Sequence, residues 1–131
     1  MQNILIDDFQ NTVGESLVRH KSVIDIMTKL SESNSRINRA LAKSVTNCGC
    51  IKISAEKQKV PNEISLWEVS EHLSYQIGGK ICDNCREVLE KEIGMNLYYL
   101  AALCDALDIS MFDVLLQEDE RVKTLGKFSM R

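Results

Sequence analysis

Apolar residues recur at steps of three and four along the first third of the chain, with polar residues between them. The positions that carry this pattern are Phe9, Val13, Leu17, Ile24, Met27, Leu30, Ile37 and Leu41. Such spacing places the apolar side chains on one face of an amphipathic α-helix. The polar stretch 31–35 interrupts the pattern but contains neither glycine nor proline. We therefore predict one long helix that ends near Val45, with a break capped by Ser33 or Ser35, giving a helical hairpin, as the alternative.

Start and stop signals predict three further helices. Ser65 and Glu68 have the spacing of a capping box, and the helix that they begin is predicted to stop at Gly78-Gly79. The longest helix is predicted over about 86–107. A shorter helix, capped by Ser110, is predicted to run to about Glu120.

These elements describe a single all-α domain, a bundle of four to five helices. One proline, six glycines and 5% aromatic residues fit helices better than a β-sandwich or barrel. A chain of 131 residues is long enough to bury one modest core. We divide the domain 1–131 into the long N-terminal helix or hairpin (1–45), loops and one helix that bind metal (46–85), two further helices (86–121) and a C-terminal arm (122–131).

The chain contains five cysteines, four of which form two close pairs. Cys48 and Cys50 follow the first predicted helix, and Cys82 and Cys85 precede the longest one. Four thiolates complete the tetrahedral shell that zinc prefers, and the Cys-x-x-Cys spacing curls two sulfurs around one ion. We predict a structural zinc site, here called the metal staple, with an iron–sulfur cluster or four buried metal-free thiols as alternatives. Cys104 lies on an apolar helix face and is predicted to belong to the core.

The remaining composition predicts a cytoplasmic protein with reduced thiols. The short apolar run after the N-terminus is interrupted at once by Asp7 and Asp8, which is unlike a secretory signal. No apolar stretch approaches the length of a membrane span. A net charge of −3 and a pI of about 5.4 lack the electrostatic footprint of a general nucleic-acid binder. We therefore expect neither membrane nor nucleic acid as a partner.

Three glutamates form a second set of candidate ligands. Glu68 and Glu71 are three residues apart, so that on one helix their Cβ atoms would lie about 5–6 Å apart. Glu92 lies near the start of the longest helix. Carboxylates on two facing helices could hold Mg²⁺ and, through it, a triphosphate. Alternatively, Glu68 only caps its helix and Glu92 only complements the helix dipole.

The residues around these glutamates resemble a known family. Glu68-x-x-Glu71 and the run EIGMNLYYLAAL that starts at Glu92 are similar to the metal-binding helices of the MazG-like all-α NTP pyrophosphohydrolases. The resemblance covers about residues 65–117. It implies a helical dimer or tetramer that uses Mg²⁺ to cleave nucleoside triphosphates to monophosphate and pyrophosphate. It also implies that Glu68, Glu71 and Glu92 bind magnesium and nucleotide.

The chain departs from the family pattern at one ligand. The family's aspartate falls on Met95, whose thioether offers no oxygen to Mg²⁺. We therefore expect weak or absent hydrolysis. The alternative is a non-catalytic protein–protein interaction or regulatory module with structural zinc. In either case a homodimer is expected, because the apolar stripe of the first helix has few partners in so short a chain.

Overall fold

The computed structural model describes residues 2–126, and within that range the chain is mainly helical. The helices are α1 (Gln2–Ser16), α2 (Val23–Lys43), α3 (Leu66–Val69), α4 (Asp83–Ala106) and α5 (Met111–Leu125), and the strands are β1 (Ile51–Ile53) and β2 (Ile77–Gly79). The two short strands pair antiparallel as one small sheet. The predicted all-α class with four to five helices is therefore confirmed.

Helix α4 is the centre of the bundle. It packs against both α2 and α1, and α5 packs against α1. The buried core lies where these helices meet and consists of Val13, Ile26, Ala101 and Ala102. The small side chains of the two alanines let α1 and α2 approach α4 closely, which favours dense packing. Ile26 and Ala101 are fully buried.

The N-terminal region breaks at a place that the sequence pattern did not indicate. Residues 17–22 separate α1 from α2, so that the predicted continuous helix is wrong. Ser22 caps α2, because its hydroxyl accepts a hydrogen bond from the backbone N–H of Ile24 at 3.3 Å. His20 adopts a φ of +55°, a conformation that a right-handed helix excludes.

The polar stretch 31–35 stays helical within α2, so that the alternative break at Ser33 or Ser35 is also wrong. The Ser33 hydroxyl donates to the carbonyl of Leu30 at 2.8 Å and accepts from the Asn96 amide at 3.0 Å. Ser33 is buried against α4 in this way. Within this stretch, Ser33 and Asn34 contact the polar Asn96 of the neighbouring helix, and the other three residues are exposed.

The segment between the two cysteine pairs contains less helix than predicted. Ser65 is the N-cap of α3, but its side chain makes no capping hydrogen bond, and the α-helix ends at Val69. A 3-10 turn, Ser70–His72, follows. Ile77–Gly79, predicted to end the helix, instead forms β2, where Ile77 pairs with Ile53. Apolar residues of this segment such as Trp67 and Leu73 stay about half exposed, and a capping box alone cannot maintain a helix that does not bury its apolar face.

The last two helices agree more closely with the prediction. Helix α4 starts at Asp83, three residues before the predicted start, and ends one residue early. The Ser110 hydroxyl caps α5 by accepting from the N–H of Asp113 at 3.2 Å, as predicted. Helix α5 continues to Leu125, beyond the predicted end at Glu120. The predicted C-terminal arm therefore begins within α5, and its residues 127–131 lie outside the described residues.

Candidate metal centre

The four predicted cysteine ligands lie together at one end of the α2–α4 pair. The sulfur atoms of Cys48, Cys50, Cys82 and Cys85 all lie within 4.8 Å of one another. The Cys48 and Cys82 sulfurs are 3.8 Å apart, and all four thiols are free. A tetrahedral zinc ion with Zn–S bonds of about 2.3 Å requires sulfurs about 3.8 Å apart. The donor set and its spacing therefore fit one tetrahedral metal ion.

The first cysteine pair is positioned by the end of α2. One turn of π-helix, Ser44–Cys48, extends the helix. Gly49 then takes a φ of +79°, and its N–H donates to the Ser44 carbonyl at 2.9 Å. This left-handed ending is favourable for glycine and reverses the chain direction. The reversal brings Cys50 back towards the helix end, with its sulfur 3.8 Å from the same carbonyl oxygen.

The second pair is positioned by the start of α4. Cys82 is the N-cap of this helix, and its sulfur accepts a hydrogen bond from the backbone N–H of Cys85 at 3.4 Å. The positive end of the helix dipole favours a thiolate at this place. The helix was predicted to start near residue 86, so that a cysteine cap was not part of the prediction.

The small sheet joins the two pairs. Ile51, directly after Cys50, pairs with Gly79, three residues before Cys82. Gly79 has a φ of +79°, and a Cβ atom at this position would lie 2.6 Å from the Cys50 carbonyl oxygen. A side chain cannot be accommodated at such a distance from backbone. Gly79 therefore lets β2 pass close to Cys50. From the sequence, Gly79 was predicted only to end a helix.

The ligands differ in their exposure. Cys85 is buried at 9% exposure, Cys50 and Cys82 are half-buried, and Cys48 is exposed. The centre is thus seated at the protein surface, with its innermost sulfur on α4. Four protein ligands leave no open position for water or substrate, which is typical of a structural site rather than a catalytic one.

Without a metal, neighbouring groups shift the pKa values of three of the four thiols. The pKa of Cys82 is lowered to about 7, chiefly because the backbone N–H of Cys85 donates to its sulfur. The Ser44 hydroxyl favours the Cys85 thiolate, but the adjacent sulfurs and burial outweigh it and raise the pKa of Cys85 to about 12. At Cys48, hydrogen bonds from Cys85 and from the backbone of Cys50 are outweighed in the same way, and its pKa is raised. Four thiolates this close are stable only with a cation between them.

The three glutamates, by contrast, lie on separate elements. Glu68 is on α3, Glu71 is in the 3-10 turn that follows, and Glu92 is on α4. Among residues 2–126, the four cysteines form the one group of three or more potential ligands whose donor atoms come together. The structure therefore does not bring Glu68, Glu71 and Glu92 to a common site.

The side chain that faces Glu92 is a cation on α2. The Arg36 Nε atom donates to the Glu92 carboxylate at 2.9 Å, and Arg36 also lies 3.9 Å from Glu32. The groove between the two helices at this place has a volume of about 320 Å³ and is lined by Lys29, Glu32, Ser33, Arg36, Glu92, Met95 and Tyr99. This arrangement was not predicted from the sequence, since no local pattern indicates which helix packs against α4.

Comparison of the chain with protein-family models, with curated proteins and with solved structures found no match. Within residues 2–126, every helix is too short or too polar to cross a membrane. The fold and the site therefore define a mainly helical protein with a four-cysteine cluster. The geometry of this cluster is the main structural evidence on function.

Proposed function

We propose that this chain is a non-catalytic helical interaction or regulatory module whose four-cysteine centre binds one zinc ion as a structural staple. The observation that carries the proposal is the convergence of four sulfur donors from two distant segments. Thiolate sulfur selects zinc or iron over magnesium and calcium. A closed site on surface elements suits zinc held for its structural effect.

The staple would act on the central pair of helices. Cys48 and Cys50 follow the C-terminal end of α2, and Cys82 and Cys85 begin α4, which packs against α2. A metal bound to both pairs fixes these two ends together and closes the loop of residues between them. Because such a site does not exist in the unfolded chain, the free energy of metal binding becomes free energy of folding.

Nucleotide binding is the second candidate function, supported by one observation. Glu92 and Met95, from the MazG-like run, line the groove that also contains Lys29 and Arg36. Cations in such a groove could contact a phosphate group. Hydrolysis is expected to be weak or absent, because Arg36 engages Glu92 and a methionine stands where the family has aspartate. Magnesium is therefore proposed at most as an accompanying ion of a bound nucleotide.

The location and assembly of the protein are part of the same proposal. Four reduced thiols require a reducing compartment such as the cytoplasm. Some of the large apolar side chains of α1 and α5, such as Leu5 and Leu115, are more than half exposed, as expected of a chain that assembles further. A homodimer is the simplest such assembly.

Elemental analysis of the protein purified without chelator tests the main proposal. We expect about one zinc per chain and little iron, with four thiols protected from a thiol reagent until the metal is removed. A metal-free protein with freely reactive thiols would overturn the proposal. A screen of nucleoside triphosphates with Mg²⁺ and Mn²⁺ addresses the second candidate, and rapid turnover there would show that the protein is an enzyme.

A further inference from the structure

The pair formed by α2 and α4 has two different sides. On one side, here called the charged side, Arg36 of α2 forms its ion pair with Glu92 of α4. The other side is marked by a hydrogen bond in which the Asn96 amide donates to the Asn34 carbonyl oxygen at 2.7 Å. At about 100° per residue, Glu92 and Met95 lie about 40° and 100° around α4 from Asn96 in one direction, whereas Leu100 and Leu97 lie about 40° and 100° from it in the other.

The second side is mainly apolar, and we call it the apolar side. It contains Leu30, Ile37 and Leu41 on α2 and Leu89, Ile93, Leu97 and Leu100 on α4, and the polar residues Ser31 and Asn38 lie at its outer edge. All seven apolar side chains are partly or largely exposed. On α4 the apolar side continues as Ile93, Leu97, Leu100, Cys104 and Leu107, at alternating steps of four and three. This is the heptad spacing by which helices pack along a seam.

The helices that pack on α4 leave this seam open. Helix α1 contacts other positions of α4, as the 3.1 Å contact between the Ser16 and Tyr98 hydroxyls and the position of Gly14 beside Asp105 show. Tyr98 and Asp105 lie about a quarter turn or more away from the Ile93–Leu107 seam. Within residues 2–126 the chain therefore buries little of the seam.

The total exposed area supports the same conclusion. The chain exposes 10111 Å² of surface. A folded monomer of 14.8 kDa should expose about 7,000 Å². The excess of about 3,000 Å² exceeds what one subunit contributes to most stable obligate dimers, about 1,000–2,500 Å². The exposed segment 54–64 and the exposed residues of the apolar side both contribute to this excess.

We infer that a second copy of this chain covers the apolar side, so that two α2–α4 pairs form a four-helix bundle. This inference rests on the proposed interaction role and names the partner. A second copy fits because the surface is two helices wide and apolar on both, so that it complements itself across a two-fold axis. The Asn96 amide N–H groups at its centre are already paired, since they donate to Asn34 and Ser33. These hydrogen bonds are kept when the apolar side is buried.

Light scattering on the full-length, zinc-loaded protein tests the inference with two matched variants. Leu97 lies on the apolar side and is 43% exposed, whereas Met95 lies by the charged side and is 45% exposed. We expect the wild type and Met95→Glu to have twice the mass of the 14.8 kDa chain at about 10 μM, as for a stable dimer. Leu97→Glu should raise the dissociation constant about a hundredfold or more, because it buries an unpaired charge in the interface.

Three results would overturn the inference: a monomeric wild type, a Leu97→Glu variant that stays dimeric, or equal loss of dimer in both variants. If Leu97→Glu does not fold, Ile93→Glu takes its place, since it lies in the same seam. Zinc content is measured on the same samples. A monomer with one zinc per chain would overturn the dimer and leave the metal staple intact, and a zinc-free dimer would do the reverse.

Discussion

The four cysteines and the three glutamates were both predicted as metal-binding sets from their spacing. In the structure, only the cysteines come together. The cysteine sulfurs come within 4.8 Å of one another, whereas Glu68, Glu71 and Glu92 do not form a common site. The cysteines converge because local structure fixes each pair. A helix end and a left-handed glycine hold the first pair, and an N-cap holds the second.

The glutamates depended on a helix that does not form. Their convergence required residues 65–77 to be one helix packed against α4. That segment contains one turn of α-helix, one 3-10 turn and exposed residues such as Trp67. Helix α2 packs against the Glu92 face instead and supplies Arg36. Spacing in sequence is therefore a sound guide to a ligand set only where each part of the set is fixed by its own local element.

The largest effect is expected from removal of one sulfur ligand. Cys82→Ser should lower the melting temperature by about 10 °C or more, because it removes both a metal ligand and the sulfur that caps α4. Cys104→Ser is the matched control, since Cys104 lies on the same helix outside the cluster. It should lower the melting temperature by no more than about 4 °C. Differential scanning calorimetry measures both.

An equal loss of stability in the two cysteine variants would remove the distinction between a ligand thiol and the half-buried Cys104 thiol. Zinc content decides how such a result is understood. If Cys82→Ser keeps a full zinc ion and its stability, then the four sulfurs do not act as one site. If Cys104→Ser loses zinc, the assignment of the fifth cysteine to the helix packing is wrong.

The next largest effect concerns the backbone that joins the two pairs. Gly79→Ala should destabilise the protein by about 2–4 kcal/mol, because the residue has a positive φ and its Cβ would lie 2.6 Å from the Cys50 carbonyl oxygen. Gly78→Ala is the control, since its Cβ would lie 3.9 Å from the Lys52 carbonyl oxygen. It should change the free energy of unfolding by no more than about 0.5 kcal/mol. Chemical denaturation of both variants compares the two positions directly.

How much the sequence could predict follows the same division between local and long-range structure. The cysteine cluster and the cap at Ser110 have local signals, and the structure contains both. The strand 77–79 has no such signal, because it forms through pairing with residues 24 to 28 positions earlier. The break at 17–22 was missed because Leu17 continues the apolar spacing and the turn at His20 uses neither glycine nor proline.

A smaller, graded effect is expected from pH. Zinc binds thiolates, whereas the raised pKa values of Cys85, about 12, and of Cys48 keep both protonated near pH 7 without metal. Binding must therefore release these protons, so that acid favours the metal-free form. The two protons of Cys85 and Cys48 alone make the affinity fall about a hundredfold when the pH is lowered from 7 to 6, and protonation of Cys82, whose pKa is about 7, adds to the fall. Competition with a chromophoric chelator at several pH values checks this, and a pH-independent affinity would contradict the thiolate site.

The smallest effect is expected at the glutamates. Met95→Asp supplies the carboxylate that the MazG-like pattern has at this position, but we expect the dissociation constant for Mg²⁺ to stay above about 1 mM. Glu92 is engaged by Arg36 at 2.9 Å, and Glu68 and Glu71 lie on other elements. Isothermal titration calorimetry measures the affinity. A clear gain for this single variant would show that the glutamates converge in solution.

The double variant Arg36→Met, Met95→Asp sharpens this test. It removes the cation that holds Glu92 and leaves Glu32, Glu92 and the new aspartate lining one groove between α2 and α4. Three carboxylates without a cation between them repel one another, and Mg²⁺ relieves that repulsion through oxygen ligands. The double variant should therefore bind Mg²⁺ more tightly than either single variant. Suppose that the tighter binding is lost on Glu32→Gln but kept on Glu71→Gln. This result would show that α2 supplies the partner carboxylate of Glu92, and that the segment containing Glu68 and Glu71 does not.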